Sequence, residues 1–167
     1  MVIRVLRGAI LEHKPFPAAV YGSGAALAAA NNAIPEAVPV LMSEPVRWDV
    51  EVRCFVHDDM IATLSPYMRD GRSAQMDDGS WPLSPEEREH AEAFGTALLN
   101  DPQVPLPPAV ALDVGHIAGR GWAVIEINSA WGAGIYGCDA AAVLPVLARG
   151  SVPRTRLTAA DVRLLVL

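Results

Sequence analysis

The chain has 167 residues, of which 51% are hydrophobic and 19% are charged, so it can bury a core as one domain and is not a disordered chain. Its formal net charge of −6 argues against general electrostatic binding of nucleic acid, and no segment is apolar enough over sufficient length to span a bilayer or act as a signal peptide. The two cysteines, Cys54 and Cys138, lack metal-ligand spacing and suit buried positions in a reducing, cytoplasmic setting.

The first part of the chain predicts two strands around a helix, followed by a hairpin. Residues 1–10 and 37–45 have strand character, and the alanine-rich residues 22–33 have high helix propensity. Residues 48–56 alternate in polarity, so that Val50, Val52 and Cys54 are expected on one face of a strand. Glu51, Arg53 and Phe55 are expected on the other face. A turn at His57–Asp59 leads to a returning strand over residues 60–68.

The second part predicts a helix, a second hairpin and a shorter helix. After a polar loop, Ser84 can cap a helix that continues to residue 100, with Pro85 in its first turn and Glu87 completing a capping box. Two apolar runs, 109–117 and 121–128, are joined by a glycine-containing turn and predict an antiparallel pair. Asp139 is the candidate cap of a helix to residue 150, and residues 157–167 predict a last helix. The mixture of hairpins and helices indicates an α+β fold.

Polar residues interrupt the last predicted strand, in the stretch "VIEINSAWGAG". Glu126 and Asn128 are two positions apart, so their side chains share one face, on which Val124 is also expected. Pairing with the preceding strand would bring Asp113 close to them. Carboxylate and amide oxygens suit Mg²⁺, which commonly takes one or two carboxylates together with phosphate oxygens. The alternative is a strand end at which Glu126 and Asn128 face solvent or cap a turn.

The stretch "ALDVG … GWAVIEINSAWGAGIYG" resembles the magnesium-binding end of an ATP-grasp domain. That superfamily ends its core with an aspartate on one strand and Glu-x-Asn on the next, positions that Asp113, Glu126 and Asn128 match. The resemblance covers about two thirds of the chain, roughly residues 40 to 140. It implies an antiparallel ATP-grasp sheet with flanking helices, and ATP and Mg²⁺ as cofactors.

The stretch "VLMSEPVRWDVEVRCFV" resembles the hinge and following strand of that fold. The resemblance implies that Glu44 and its neighbours, including Val46, contact adenine and that Glu51, seven residues on, holds the ribose hydroxyl groups. It also implies phosphate or acylphosphate contacts, with Arg53 and Arg69 as the candidate catalytic residues.

Each of these arginines has an alternative role. Arg53 can form an ion pair with Glu51 or Asp49, and Arg69 can be a solvated turn residue. The stretch "EVRCFVHDDMIATLSPYMRDG" is similar to the ligase branch that contains glutathione synthetase and the ribosomal-protein glutamate ligases. The stretches "HKPFPAAVYGSGAAL" and "GIYGCD" are similar to a small clade of predicted ATP-grasp ligases.

The sequence departs from the family pattern before the hinge. Lys14 is the sole lysine, and either faces the nucleotide or is an exposed loop residue. Residues 21–26 contain glycines but form a weak phosphate-loop signal. We therefore expect residues 1–40 to be a remnant of the N-terminal lobe, 41–150 the C-terminal ATP-grasp subdomain, and 151–167 a tail or helix.

Two hypotheses about function follow. The first is an ATP- and magnesium-dependent carboxylate–amine ligase that acts through an acylphosphate, or the catalytic half of one. Its partners would be a small-molecule or peptide carboxylate and an amine, without nucleic acid or membrane. The second is a truncated, non-catalytic nucleotide-binding or interaction module derived from such an enzyme. An apolar face left open by a missing domain would predict a homodimer.

Overall fold

The structure of the chain is a computed structural model, which describes residues 2–5, 19–30, 40–159 and 162. The chain divides into two compact units, Met1–Val46 and Arg47–Leu167. The predicted boundary after residue 40 lies near this division. Of the predicted last helix, residues 160, 161 and 163–167 lie outside the described part, so that helix remains a prediction.

The first unit contains a small antiparallel sheet and one helix. Its strands are β1 (Val2–Val5), β2 (Ala19–Val20) and β3 (Val40–Ser43), in the order β2-β1-β3, and its helix is α1 (Gly24–Ala30). The two predicted strands and the alanine-rich helix are therefore found, in shorter form.

The second unit is built on a five-stranded antiparallel sheet. Its strands are β4 (Trp48–His57), β5 (Met60–Arg69), β6 (Arg72–Ser73), β7 (Ala109–Ile117) and β8 (Gly121–Ser129), in the order β6-β5-β4-β7-β8. Both predicted hairpins are present. The first turns at Asp58 and Asp59, whose φ values of 44° and 65° suit the tight turns that join twisted antiparallel strands.

Helix α2 (Pro85–Leu99) covers one face of this sheet. It begins with the predicted capping box, in which the Ser84 side chain accepts a hydrogen bond from the Glu87 amide and the Glu87 carboxylate accepts one from the Ser84 amide. The core beneath it is apolar. Its fully or nearly fully buried members are Val50, Val52, Cys54, Val56, Leu64, Ala91, Val110, Leu112 and Val114.

Helix α3 (Ala140–Gly150) packs on the opposite face, at the ends of β4 and β7. Its Val143 and Val146 contact a smaller apolar cluster that includes Phe55 and Ala111. The side chain of Asp139 caps the helix, as predicted, by accepting a hydrogen bond from the Ala141 amide at 2.9 Å. The described second unit is thus an α+β fold, as the sequence predicts, with polar side chains on the part of this face beyond the α3 cluster. None of the described helices is long and apolar enough to cross a membrane.

Candidate functional site

A row of polar side chains crosses the second sheet on the α3 face. In the strand register, Ser65 of β5 lies opposite Arg53 of β4, Arg53 lies opposite Asp113 of β7, and Asp113 lies opposite Glu126 of β8. Directly opposed residues of antiparallel strands share a face and lie about 5 Å apart, so the four side chains form one line across the sheet. The register therefore brings together three of the predicted site residues.

Asn128 extends this row along β8. It lies two residues beyond Glu126 on the same face, and its amide nitrogen Nδ2 donates a hydrogen bond to Glu126 Oε1 at 3.0 Å. The expectation that Val124 shares this face is wrong. Glu126 lies opposite Asp113 and Val124 lies opposite Val114, because a register shift places Ile125 as an extra residue between the two pairs. A bulge of this kind reverses the alternation of side chains beyond it.

A buried ion pair forms the centre of the row. Arg53 donates from Nε to Asp113 Oδ1 at 2.8 Å and from Nη2 to Asp113 Oδ2 at 2.6 Å, and it donates from Nη1 to the carbonyl of Gly134 at 3.1 Å. Asp113 is 0% exposed. Arg53 pairs with Asp113 because the register places them opposite each other, and not with Glu51 or Asp49, the partners considered from the sequence.

Burial and the neighbouring carboxyl group determine the ionisation of this pair. Burial raises the pKa of the Asp113 carboxyl group, the hydrogen bonds and charge of Arg53 oppose that shift, and the charge of Glu126 adds to it. Burial lowers the pKa of the Arg53 guanidinium, but the hydrogen bonds and charge of Asp113 outweigh that effect, so the pKa is raised overall and Arg53 stays charged.

Two stacked tyrosines cover the guanidinium of Arg53. The rings of Tyr67 and Tyr136 are 5.2 Å apart and nearly parallel, and Arg53 Cζ lies 5.4 Å from the first ring centroid and 5.0 Å from the second. These distances allow cation–π attraction. Trp81 meets the Tyr136 ring edge-on at 5.4 Å. The sequence indicated these tyrosines only as minor candidates for a pocket wall.

Glu51, the predicted ribose-binding acid, belongs to the same region. Its Oε2 accepts a hydrogen bond from the Tyr67 hydroxyl at 2.8 Å. Burial raises the pKa of Tyr67, and the charges of Asp113 and Glu51 act in the same direction, so this hydroxyl stays protonated and donates. Tyr67 therefore fixes one carboxylate oxygen of Glu51.

The segment 130–139, here called the glycine loop, reaches the row from the end of β8. Its backbone amides at Gly137 and Asp139 donate to the side-chain oxygens of Ser65 and Thr63, both at 3.1 Å. Tyr136 has a φ of 49°, which is uncommon for a bulky residue and costs about 1 kcal/mol or more. The side-chain anchors on β5 and the aromatic stacking hold the loop in this conformation.

The structure separates Arg69 from the row. Arg69 lies opposite Val50, whose side chain belongs to the core under α2, and Arg69 donates to both oxygens of Glu87 at 2.6 and 3.1 Å. This pair connects β5 to the first turn of α2, so Arg69 supports the helix and does not contact Arg53 or Asp113 here.

The remaining predicted nucleotide contacts belong to the first unit. Lys14 lies outside the described residues. Glu44 is exposed and Val46 is partly buried, and both come after β3. Their predicted contacts with adenine stay predictions.

The oxygen donors were compared with the needs of a magnesium ion. Within the described residues, no group of three histidine, cysteine, aspartate or glutamate side chains could hold a metal ion. Glu126 and Asn128 are partly exposed and supply carboxylate and amide oxygens side by side, which suits Mg²⁺ when phosphate supplies further ligands. Asp113 is buried behind them, with both oxygens accepting hydrogen bonds from Arg53. The donor set thus fits the ion through Glu126 and Asn128.

A comparison with protein families identifies the domain. A family model described as an ATP-grasp domain, the second family of its clade, matches residues 9–146. The chain belongs to this ATP-grasp family. None of the curated proteins compared with it is a significant match.

The ATP-grasp assignment agrees with the antiparallel sheet and flanking helices, and it places the chain among ATP-binding, ligase-like domains. Sequence reasoning missed three parts of the ATP-grasp site: the pairing of Arg53 with Asp113, the carbonyl of Gly134, and Ser65. These contacts depend on strand register and on the path of the glycine loop, and no local sequence pattern specifies either.

Proposed function

We propose that the chain is an ATP- and magnesium-dependent carboxylate–amine ligase that acts through an acylphosphate. One observation carries this proposal: within an ATP-grasp domain, Arg53, Asp113 and Glu126 lie opposite one another on three adjacent strands, with Asn128 hydrogen-bonded to Glu126. Burying charged groups is costly unless they are paired or bind a ligand. A half-open carboxylate and amide beside a buried ion pair support a site for cationic magnesium and its nucleotide.

In this proposal each part of the row has a role in holding the nucleotide. Glu126 and Asn128 hold the magnesium ion, which when bound neutralises charge on the phosphates. Glu51, with one oxygen fixed by Tyr67, keeps its other oxygen for a ribose hydroxyl. Glu44 and Val46 would meet adenine and Lys14 a phosphate, as the family resemblance implies.

The proposed reaction has two steps. An oxygen of the substrate carboxylate attacks the γ-phosphorus of ATP, the bond to the β,γ-bridging oxygen breaks, and ADP leaves. The amine then attacks the acyl carbon of the acylphosphate, inorganic phosphate leaves with the bonding electrons, and the nitrogen loses a proton. Such phosphoryl transfer asks the protein mainly for positioning and for electrostatic stabilisation.

The substrates we propose are a small-molecule or peptide carboxylate and an amine, in the cytoplasm and without nucleic acid or membrane. The net charge of −6 supports the exclusion of nucleic acid. A homodimer stays a prediction from the sequence.

The proposal is tested by calorimetric titration with ATP, with and without MgCl₂, on the wild type and on Glu126→Gln. The exposed glutamate Glu89 on α2 provides the matched control, Glu89→Gln. We expect magnesium to tighten ATP binding by 10-fold or more in the wild type and the control, and Glu126→Gln to lose most of that gain.

Two results would argue against the ligase. Equal magnesium dependence in Glu126→Gln and Glu89→Gln would remove Glu126 from the site. Magnesium-dependent binding without ADP release from any mixture of carboxylates and amines would favour the alternative, a non-catalytic nucleotide-binding module.

A further inference from the structure

The hydrogen bonds of Arg53 point to a role different from phosphate binding. An arginine binds phosphate or carboxylate with a fork of two parallel N–H groups. In this structure the fork of Nε and Nη2 is directed at the two oxygens of Asp113, and Nη1 is directed at Gly134. The side chain of Arg53 is 7% exposed, and two tyrosine rings lie over it. To reach a phosphate, Arg53 would have to leave a buried carboxylate without its charge partner.

Arg53 also connects two parts of the site that are distant in sequence. Through Asp113 it holds the centre of the carboxylate row, and through the Gly134 carbonyl it holds the glycine loop. Tyr136 of that loop keeps its left-handed backbone while packed against the same guanidinium. The carboxylate row and the loop therefore share one anchor.

We propose that Arg53 is a positioning residue, which fixes the carboxylate of Asp113 behind Glu126 and fixes the glycine loop, and which does not contact the phosphates. This inference rests on the proposed function, because it concerns the magnesium-dependent binding of ATP at the same site. It assigns the magnesium ion to Glu126 and Asn128, with Asp113 supporting Glu126 from the neighbouring strand. Groups that orient metal ligands typically change metal affinity about 10–100-fold when they are substituted.

The substitution Arg53→Lys tests this role. Lysine keeps the positive charge but presents a single ammonium group, so it cannot reproduce the fork on Asp113 together with the bond to Gly134. The control is Arg88→Lys, which changes a half-exposed arginine of α2 that pairs with Glu92. ATP titrations with and without MgCl₂ are compared among the wild type and the two variants.

Three outcomes are distinguishable. If Arg53 positions the row, Arg53→Lys binds ATP without magnesium within about 3-fold of the wild type, and the gain on adding MgCl₂ falls about 10–100-fold. If Arg53 contacts phosphate, affinity also falls strongly without magnesium, which overturns the proposal. If only stability changes and both affinities match the control, Arg53 is merely structural and the proposal is likewise wrong.

A second measurement does not depend on ligand binding by the variant. In ¹⁵N NMR of the wild type, Gly137 has an amide bonded to Ser65 Oγ, and its exchange rate reports on the glycine loop. We expect this rate to increase 10-fold or more in Arg53→Lys and to stay unchanged in Arg88→Lys; equal rates would overturn the positioning role. If the wild type shows no magnesium-dependent ATP binding, the proposed ligase fails, while this exchange experiment still decides whether Arg53 holds the loop.

The wild type itself provides a test if Arg53→Lys does not fold. The Arg53 Nε–H signal should keep its chemical shift and slow solvent exchange when Mg-ATP is added, because the bond to Asp113 persists. A large shift of that signal on adding Mg-ATP, with other arginine signals unchanged, would show that Arg53 moves to the nucleotide and would overturn the proposal.

Discussion

Leu112 and Asp113 are neighbours on β7, and both are 0% exposed, yet they point to opposite faces of the sheet. Leu112 lies in the continuous apolar core beneath α2. Asp113 lies on the α3 face, where the apolar cluster ends and a bound arginine replaces hydrophobic contacts. Equal burial thus serves different purposes on the two faces: the first stabilises the fold, and the second holds charged groups at fixed positions.

This comparison teaches where substitutions should separate stability from ligand binding. On the α2 face the stabilising contacts are non-directional, so a change there should lower the free energy of unfolding and leave the affinity of folded molecules alone. On the α3 face, beyond the Phe55 cluster, contacts are directional hydrogen bonds and stacked rings. Changes there should alter geometry as well as stability.

The largest expected effect on stability is that of Leu112→Ala. Removing this fully buried side chain should lower the free energy of unfolding by about 2–5 kcal/mol, through lost burial and a residual cavity. The measurement is urea denaturation followed by circular dichroism. The control, Leu144→Ala, makes the same chemical change at a leucine that is 65% exposed on α3, and should shift stability by no more than about 0.5 kcal/mol.

The contrast between the faces would be broken if Leu112→Ala also changed magnesium-dependent ATP affinity in the folded fraction. That result would mean that the core under α2 sets the geometry of the carboxylate row. Equal stabilities of Leu112→Ala and Leu144→Ala would contradict the position of Leu112 in the core.

A smaller effect is expected from Gly137→Ala in the glycine loop. A Cβ atom at this position would lie 2.6 Å from three side-chain atoms of Trp81, so the ring or the loop must move. Overpacking of this kind typically costs about 1–3 kcal/mol. At Gly132, in the same loop, a Cβ atom would meet nothing within 4 Å, so Gly132→Ala is the matched control.

Near-ultraviolet circular dichroism should show the same contrast, because Trp81 packs against Tyr136. We expect Gly137→Ala to reduce the aromatic signal and Gly132→Ala to retain it. Retention of both the signal and the stability in Gly137→Ala would show that the loop has room the structure does not indicate, and would weaken the view that directional contacts fix this face.

Sequence patterns were sufficient for the elements with strong local signals. The capping box at Ser84, the cap at Asp139, the alternation along β4 and the two hairpins are all found. Each depends on residues close together in sequence, such as a polar cap three residues before a glutamate. The antiparallel α+β fold followed from these elements and from the family resemblance.

The geometry of the site was less predictable, because it depends on pairing between distant residues. The face of Val124 was wrong because a bulge at Ile125 cannot be read from alternation alone. The partner of Arg53 is 60 residues away, and only the β4–β7 register places them together. Arg69 matched the family position expected for a phosphate contact, but it lies opposite Val50 and pairs with Glu87.

The smallest predicted effect concerns this pair of Arg69 and Glu87 at the edge of the α2 face. The hydrogen bonds from Arg69 lower the pKa of the Glu87 carboxyl group from its ordinary 4.5 to about 2. A carboxyl group with a lowered pKa in the folded state stabilises it fully above the unfolded value. That stabilisation is lost as the pH falls from about 4.5 to about 2.

Glu87→Gln should therefore destabilise the protein by on the order of 1 kcal/mol at neutral pH, because both side chains are partly exposed and the pair is screened by solvent. The difference from the wild type should shrink as the pH is lowered through this window, as measured by urea denaturation at pH 7, 4 and 3. Glu89→Gln, at an exposed position of the same helix, should show no such convergence. A constant difference for Glu87→Gln at all three pH values would show that its role is the uncharged part of the helix cap, and that even the edge of this face is stabilised without charge.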